Sequence, residues 1–216
     1  MTVDTTTPAA FSLSSPAAGH ETAATSVTFT WGASSDTGSD LNRYQLQVST
    51  LSTLAYLTAD SSTGTNTFGV RTLVGTETYW WRVVAYDDAG NTRASTDTRQ
   101  VIVDTVPPSV FGLTSPTAGH ETSTTTVTFT WSGTSDTPSG LNRYHLQVST
   151  LPTFAYLAAD SSTGTNTSGV RTLSANETSF WRIWAYDDAG NTRVSTETRS
   201  VVVDTWTPAA FALDTP

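Results

Sequence analysis

TYWWRVVAYDDAGN, residues 78–91, alternates in steps of two: Tyr79, Trp81, Val83 and Ala85 fall on one side, Trp80, Arg82, Val84 and Tyr86 on the other. Successive side chains of a strand point to opposite faces of a sheet, so this spacing predicts a long β-strand with one apolar face buried. Its end, DDAGN, is turn chemistry, with Gly90 able to take a positive φ. One hundred residues on, TSFWRIWAYDDAGN (178–191) repeats the pattern.

Outward from that stretch, the whole chain repeats. Residues 1–100 and 101–200 align without gaps at 68 identical positions. LNRYQLQVST (41–50) returns as LNRYHLQVST (141–150), and DTTTPAAFSLSSP (4–16) returns at the tail as DTWTPAAFALDTP (204–216). The expected division is therefore a first repeat at 1–104, a second at 105–204, and the first strand of a third at 205–216. The copies join through VDTVPP (103–108), where Pro107 and Pro108 stiffen the link. That predicts an extended arrangement of similar modules.

Within a copy, Val27, Phe29 and Trp31 alternate with Thr28 and Thr30, and Tyr44, Leu46 and Val48 with Arg43, Gln45 and Gln47. Phe11 with Leu13, Ala55–Leu57, Phe68–Leu73, and Val101 with Val103 supply weaker strands. SPAAGHE, SSDTGSD, ADSSTGTN and DDAGN read as the separators. The result is an all-β chain of two tandem seven-stranded Greek-key β-sandwiches, with Trp31, Tyr44, Leu46, Trp81 and Val83 at the centre of the first core. The 45 Thr residues suit half-exposed strands.

Composition excludes several functions. Net charge is −9, with 10 Arg, 19 acids and no Lys, which argues against nucleic acid and against anionic membrane. No apolar run reaches the roughly 18 residues of a membrane span, and the N-terminal MTVDTTTP does not read as a signal peptide. Without Cys there is no disulfide, thiol nucleophile or thiolate metal site. Nucleophile elbows, His-Glu-x-x-His and phosphate loops are absent from the sequence, so no enzyme is expected.

A Trp on the second strand (Trp31), a Tyr in the third (Tyr44), Leu73 six residues before Tyr79, then Y-x-W-x-V-x-A and a D-x-x-G turn resemble the fibronectin type III family. The Leu73–Tyr79 spacing is similar to that family's tyrosine corner, and Ser179 replaces the Tyr in the second copy. The VDTxxP and DDAGN elements resemble the immunoglobulin-like repeats of large bacterial surface adhesins. That resemblance implies an extracellular or cell-surface location, with neighbouring repeats of the same chain as partners.

A fibronectin-type topology would gather Asp4, Asp36, Asp40, Asp87, Asp88 and Asn91 at one pole of the first copy. It would gather Asp104, Asp136, Asp187, Asp188 and Asn191 at the same pole of the second, with Glu21 in a loop at the far pole of the first, facing them. Calcium takes six to eight oxygens, several from carboxylates, and the resembling adhesin repeats use it to stiffen a rod. The plainer reading of the same residues is turn chemistry, because Asp and Asn bond their own backbone. Trp80, Tyr86, Trp184 and Tyr186 point outward by alternation and offer a second site, for a glycan or protein ligand. Against that stands cover by the neighbouring Arg82 and Arg182.

The expected function is a non-catalytic spacer or stalk of a secreted or cell-surface adhesin-like protein. Two alternatives stay open: a ligand-binding adhesion module using the outward aromatics, or a homo-assembling filament subunit in which residues 207–214 pair with a neighbour's sheet edge.

Overall fold

The computed structural model describes residues 3–212, all in strands, turns and loops, with no helix among them. The chain divides into two compact units. One holds the residues up to Val106 with Thr137–Ser139 and Asp188–Asn191; the other holds Pro107–Asp136, Gly140–Asp187 and the residues from Thr192 onward.

Nine strands build the first repeat: β1 (Leu13–Ser15), β2 (His20–Thr22), β3 (Ser26–Trp31), β4 (Leu41–Ser49), β5 (Ala59–Gly64), β6 (Phe68–Thr72), β7 (Glu77–Asp87), β8 (Thr92–Ala94) and β9 (Arg99–Val103). They form two sheets, β1-β3-β6 and β2-β9-β7-β4-β5, with β8 also on β7. The second repeat copies the plan: β10 (Leu113–Ser115), β11 (His120–Thr122), β12 (Thr126–Trp131), β13 (Leu141–Ser149), β14 (Ala159–Gly164), β15 (Ser168–Thr172), β16 (Glu177–Asp187), β17 (Thr192–Val194) and β18 (Arg199–Val203). Its sheets are β10-β12-β15 and β11-β18-β16-β13-β14 with β17 on β16.

The seven expected segments become nine because the first and last strands are each interrupted. Pro16 lacks an N–H to continue a ladder. Beyond it, His20–Thr22 crosses to the other sheet and pairs in parallel with Val101–Val103. Glu21 therefore lies in a strand, not in the loop that its SPAAGHE context predicts. At the other end Ser95 stands in for a ladder residue: its N–H bonds Val83 O (2.7 Å) and its hydroxyl accepts from Val83 N (3.3 Å).

A further correction concerns Ala55–Leu57, which is loop; the strand is Ala59–Gly64, inside the stretch that reads as a separator. That edge strand alternates half-buried Ala59, Ser61 and Thr63 with exposed Asp60, Ser62 and Gly64, so it carries no apolar period to read.

The β7 alternation holds except at Val84, which falls on the outward side and is nonetheless buried. Tyr79, Trp81, Val83 and Ala85 are buried, while Trp80, Arg82 and Tyr86 are half-buried on the opposite face. Trp81 has no exposure and meets Phe29 edge-on, with centroids 4.9 Å apart. Phe11 and Trp31 both sit edge-on to Tyr44. The second unit has its own core with the same pairings, Phe129–Trp181 and Phe111 and Trp131 on Tyr144. The tyrosine corner is present in the first unit: Tyr79 Oη donates to Val74 O (2.7 Å) and accepts from Val74 N (3.1 Å). Ser179, buried at the equivalent position, is too short to make that bridge.

Of the expected third-repeat strand, residues 205–212 form no strand, and Trp206 and Phe211 are exposed; residues 213–216 lie outside the described residues. Trp81→Ala is expected to cost about 3–5 kcal/mol, read as a lower urea midpoint for the first unit. An unchanged midpoint would show the inward face of β7 to be misassigned.

Candidate functional site

Three elements bring acids together in the first unit: the entering segment (Asp4), the loop between β3 and β4 (Asp36), and the end of β7 (Asp87). Each offers one carboxylate oxygen, and these atoms lie within 4.8 Å of one another. Gly38 packs so closely on Asp4 that a Cβ there would meet its carboxyl carbon at 2.4 Å. A hollow beside the group is lined by Val3, Asp4, Gly38, Ser39, Asp88 and Ala89.

Each acid also does local structural work. Asp4 Oδ1 accepts from Thr6 N (2.9 Å) and from the Thr6 hydroxyl. The Thr6 hydroxyl is the leading cause that holds the Asp4 carboxyl below its ordinary 3.8. Asp36 Oδ2 accepts from Gly38 N (2.8 Å) and Ser39 N (3.0 Å). Asp87 is buried and takes both the N–H (2.7 Å) and the Nδ2 (2.8 Å) of Asn91, closing the turn that Gly90 makes possible at φ +93°. Asn91 Nδ2 also reaches Asp4 O (3.3 Å), so it ties the turn to the entering segment.

Like charges this close repel, and the N–H donors offset part of that repulsion. Asp4 Oδ2 is shielded from solvent, and the side chains of Ser39 and Asp36 lie against the same carboxyl. The arrangement can thus serve as a turn clasp, and it can take a hard cation.

The other predicted acids are placed as follows. Asp88 and Asp188 are exposed, and Asp88 Oδ1 accepts from Asn42 Nδ2 (2.5 Å). Asp40 is an exposed loop residue at φ 64°. Glu21 is half-buried on β2, in register with Ile102. Asp104 is buried; Oδ1 accepts from Val106 N (2.9 Å) and Oδ2 from Ser139 N and Oγ (3.2 and 2.7 Å), while Asn191 Nδ2 donates to Asp104 O (2.8 Å). In the second unit Asp187 is buried, and half-buried Asp136 accepts from Gly140 N (3.3 Å). Asp204 bonds Trp206 N (2.9 Å), so one Asp turn recurs at 4, 104 and 204.

The outward aromatics Trp80, Tyr86, Trp184 and Tyr186 are all half-buried. Arg43, directly opposite Tyr86 on β4, lies 4.0 Å from its ring centroid, and Arg143 lies 4.3 Å from Tyr186. Arg182 lies 5.4 Å from Trp184 and 4.2 Å from Phe154, and its Nε bonds Gln147 Oε1 (2.9 Å). Arg82 bonds Gln47 Oε1 (2.8 Å). The cover over Tyr86 thus comes from the facing strand and not from Arg82. Cross-strand register decides that, and the sequence alone does not give it. In the second unit His145, where the first has Gln45, bonds Asp160 (2.9 Å) and lies 5.0 Å from the Tyr186 ring.

The two-sheet topology, the Tyr79 corner and the paired cores define a tandem of fibronectin type III-like sandwiches. Residues 15–101 match the model of the fibronectin type III domain. Among solved structures, the chain is similar to the fibronectin(III)-like modules of Clostridium thermocellum CbhA (TM-score 0.55, 15% identity, 94% of this chain and 100% of that one). It is also similar to the FN1–FN3 domains of chicken CNTN1 (TM-score 0.52, 15% identity, 92% and 69%). These likenesses carry the fold. None of the curated protein sequences matches the chain.

Asp87→Ala removes the acceptor of both Asn91 bonds. It is expected to destabilise the first unit by about 1.5–3 kcal/mol, measured by denaturant unfolding. Stability equal to the parent would mean that relief of carboxylate repulsion fully offsets the lost turn bonds.

Proposed function

We propose that the chain is a non-catalytic spacer from a secreted or cell-surface protein, in which sandwich modules repeat to set distance. The observation that carries this reading is the repetition itself. The same aromatic core is built twice at a period of 100 residues, and each copy has a hydrophobic core of its own. Fibronectin type III domains are generally non-catalytic modules. Repeat arrays draw stability from self-contained units and their neighbours, so length can change without redesign. The stacked arginines favour a structural role for Tyr86, Trp184 and Tyr186 over an open sugar-stacking face. No helix among the described residues is long and apolar enough to cross a membrane.

Small-angle scattering on chains of two, four and six repeats tests the spacer. Its maximum dimension should rise by a constant step per repeat; collapse onto a compact particle would end the reading.

A cation at Asp4, Asp36 and Asp87 is the finer part of the proposal, favoured by their mutual approach within 4.8 Å. Calcium is the ion suited to such an oxygen set, with water completing its shell. In chelator, Asp36→Asn should melt at or above the parent temperature, since one repelling charge is gone. In millimolar calcium the parent should gain several degrees and the variant should not. Identical calcium responses would leave the acids as turn clasps.

A further inference from the structure

Tyr79 and Ser179 occupy one and the same place in the two sandwiches. Tyr79 pairs with Val101 across the β7–β9 ladder, and Ser179 pairs with Val201 across β16–β18. Both are buried. In the first unit a phenol ring extends from this position, and its hydroxyl accepts from Val74 N (3.1 Å) and donates to Val74 O (2.7 Å). In the second unit a hydroxymethyl group stands there, so the N–H and carbonyl of Ser174 lack the side-chain partner that Val74 has.

Two more differences between the repeats fall on the same spot, and both also reduce bulk: Thr58 becomes Ala158 and Val74 becomes Ser174. In the first unit the surface here dips into a hollow of about 120 Å³ bounded by Thr58, Ala59, Thr72, Leu73, Val74 and Tyr79. In the second unit the counterparts of all these residues line a hollow of about 160 Å³, and Val148 and Arg171 join them. Val148 belongs to the core of the unit, so the hollow opens onto core side chains.

The lining determines what fits. Val148, Ala158, Ala159 and Leu173 present apolar surface. An apolar cavity of about 150 Å³ is large enough to take a benzene ring. Arg171 adds a cation. Its Nη1 donates to Val170 O (2.5 Å), while its Nε is shielded from solvent and has no hydrogen-bond partner among the described residues. A guanidinium on the wall favours an aromatic occupant over an aliphatic one of equal size. Ser174 supplies the backbone donor and acceptor that a ring hydroxyl needs, in the arrangement Val74 gives to Tyr79.

We propose that the second unit binds a small single-ring phenol in this hollow, its ring standing where the Tyr79 ring stands in the first unit and its hydroxyl bridging the N–H and carbonyl of Ser174. The para position of the ring then faces Ser179, which excludes bulk there. One repeat carries its aromatic plug as a side chain; the other takes it from solution. The site goes beyond the spacer reading and does not rest on it.

Titration of phenol into the full chain, followed by amide NMR shifts, tests the site. Saturable shifts should centre on Ser174 and Ser179 and leave Val74 and Tyr79 in place, with a Kd of about 1 mM or tighter. Benzene, which keeps the ring and lacks the hydroxyl, should bind about fivefold more weakly. Ser179→Tyr supplies the plug covalently and should abolish saturable phenol binding. The shift map of the parent chain decides the matter even where that variant folds poorly. Absence of saturable shifts at Ser174 in the parent overturns the proposal. So does benzene binding as tightly as phenol, or phenol binding unchanged in a folded Ser179→Tyr chain.

Discussion

Trp81 meets Phe29 edge-on between the two sheets of the first unit, with neither ring exposed to solvent. That contact fixes which face of β3 and of β7 looks inward. A one-residue slip in either strand would turn its whole apolar set to solvent. Once β7 is fixed, β4 on one side and β9 on the other are held by ladder bonds, and Val83, Val101 and Leu46 follow into the core. The loops that carry the acids are positioned at second hand: Asp87 stands where β7 leaves the sheet, and Asp36 on the loop entering β4.

Legibility in the sequence followed the strength of the buried face. β3, β4 and β7 could be read directly because each pairs an apolar inward row with an outward one that is polar or half-covered, buried Val84 on β7 excepted. β5 could not: its inward row is Ala59, Ser61 and Thr63, and a polar edge strand looks like a loop in one dimension. β2 escaped for a different reason. Three residues are too few to show a period, and a partner about eighty positions away leaves no local trace.

The candidate site shows the same split. Asp4, Asp36 and Asp87 could be named from topology, because a fibronectin-like chain brings those loops to one end. That Asp88 stays in solvent while its neighbour Asp87 is buried depends on the exact exit of β7. Arg43 as the partner of Tyr86 depends on register. Arg99 carries no motif at all; its three carbonyl partners lie more than eighty residues upstream.

The near-identity of the two repeats has a consequence for how the chain reaches its native state. β9 (RQVIV) and β18 (RSVVV) differ at two positions and occupy the same register against their partners. Each would fit the other's place with little loss of contact. Nothing in the side chains alone forbids a cross-paired hybrid during refolding, and such misassembly is a characteristic hazard of repeat proteins. Discrimination must then come from proximity along the backbone, since a partner within the same hundred residues is met sooner than one beyond it. Emergence from the ribosome, which presents one repeat before the next, would enforce the same order.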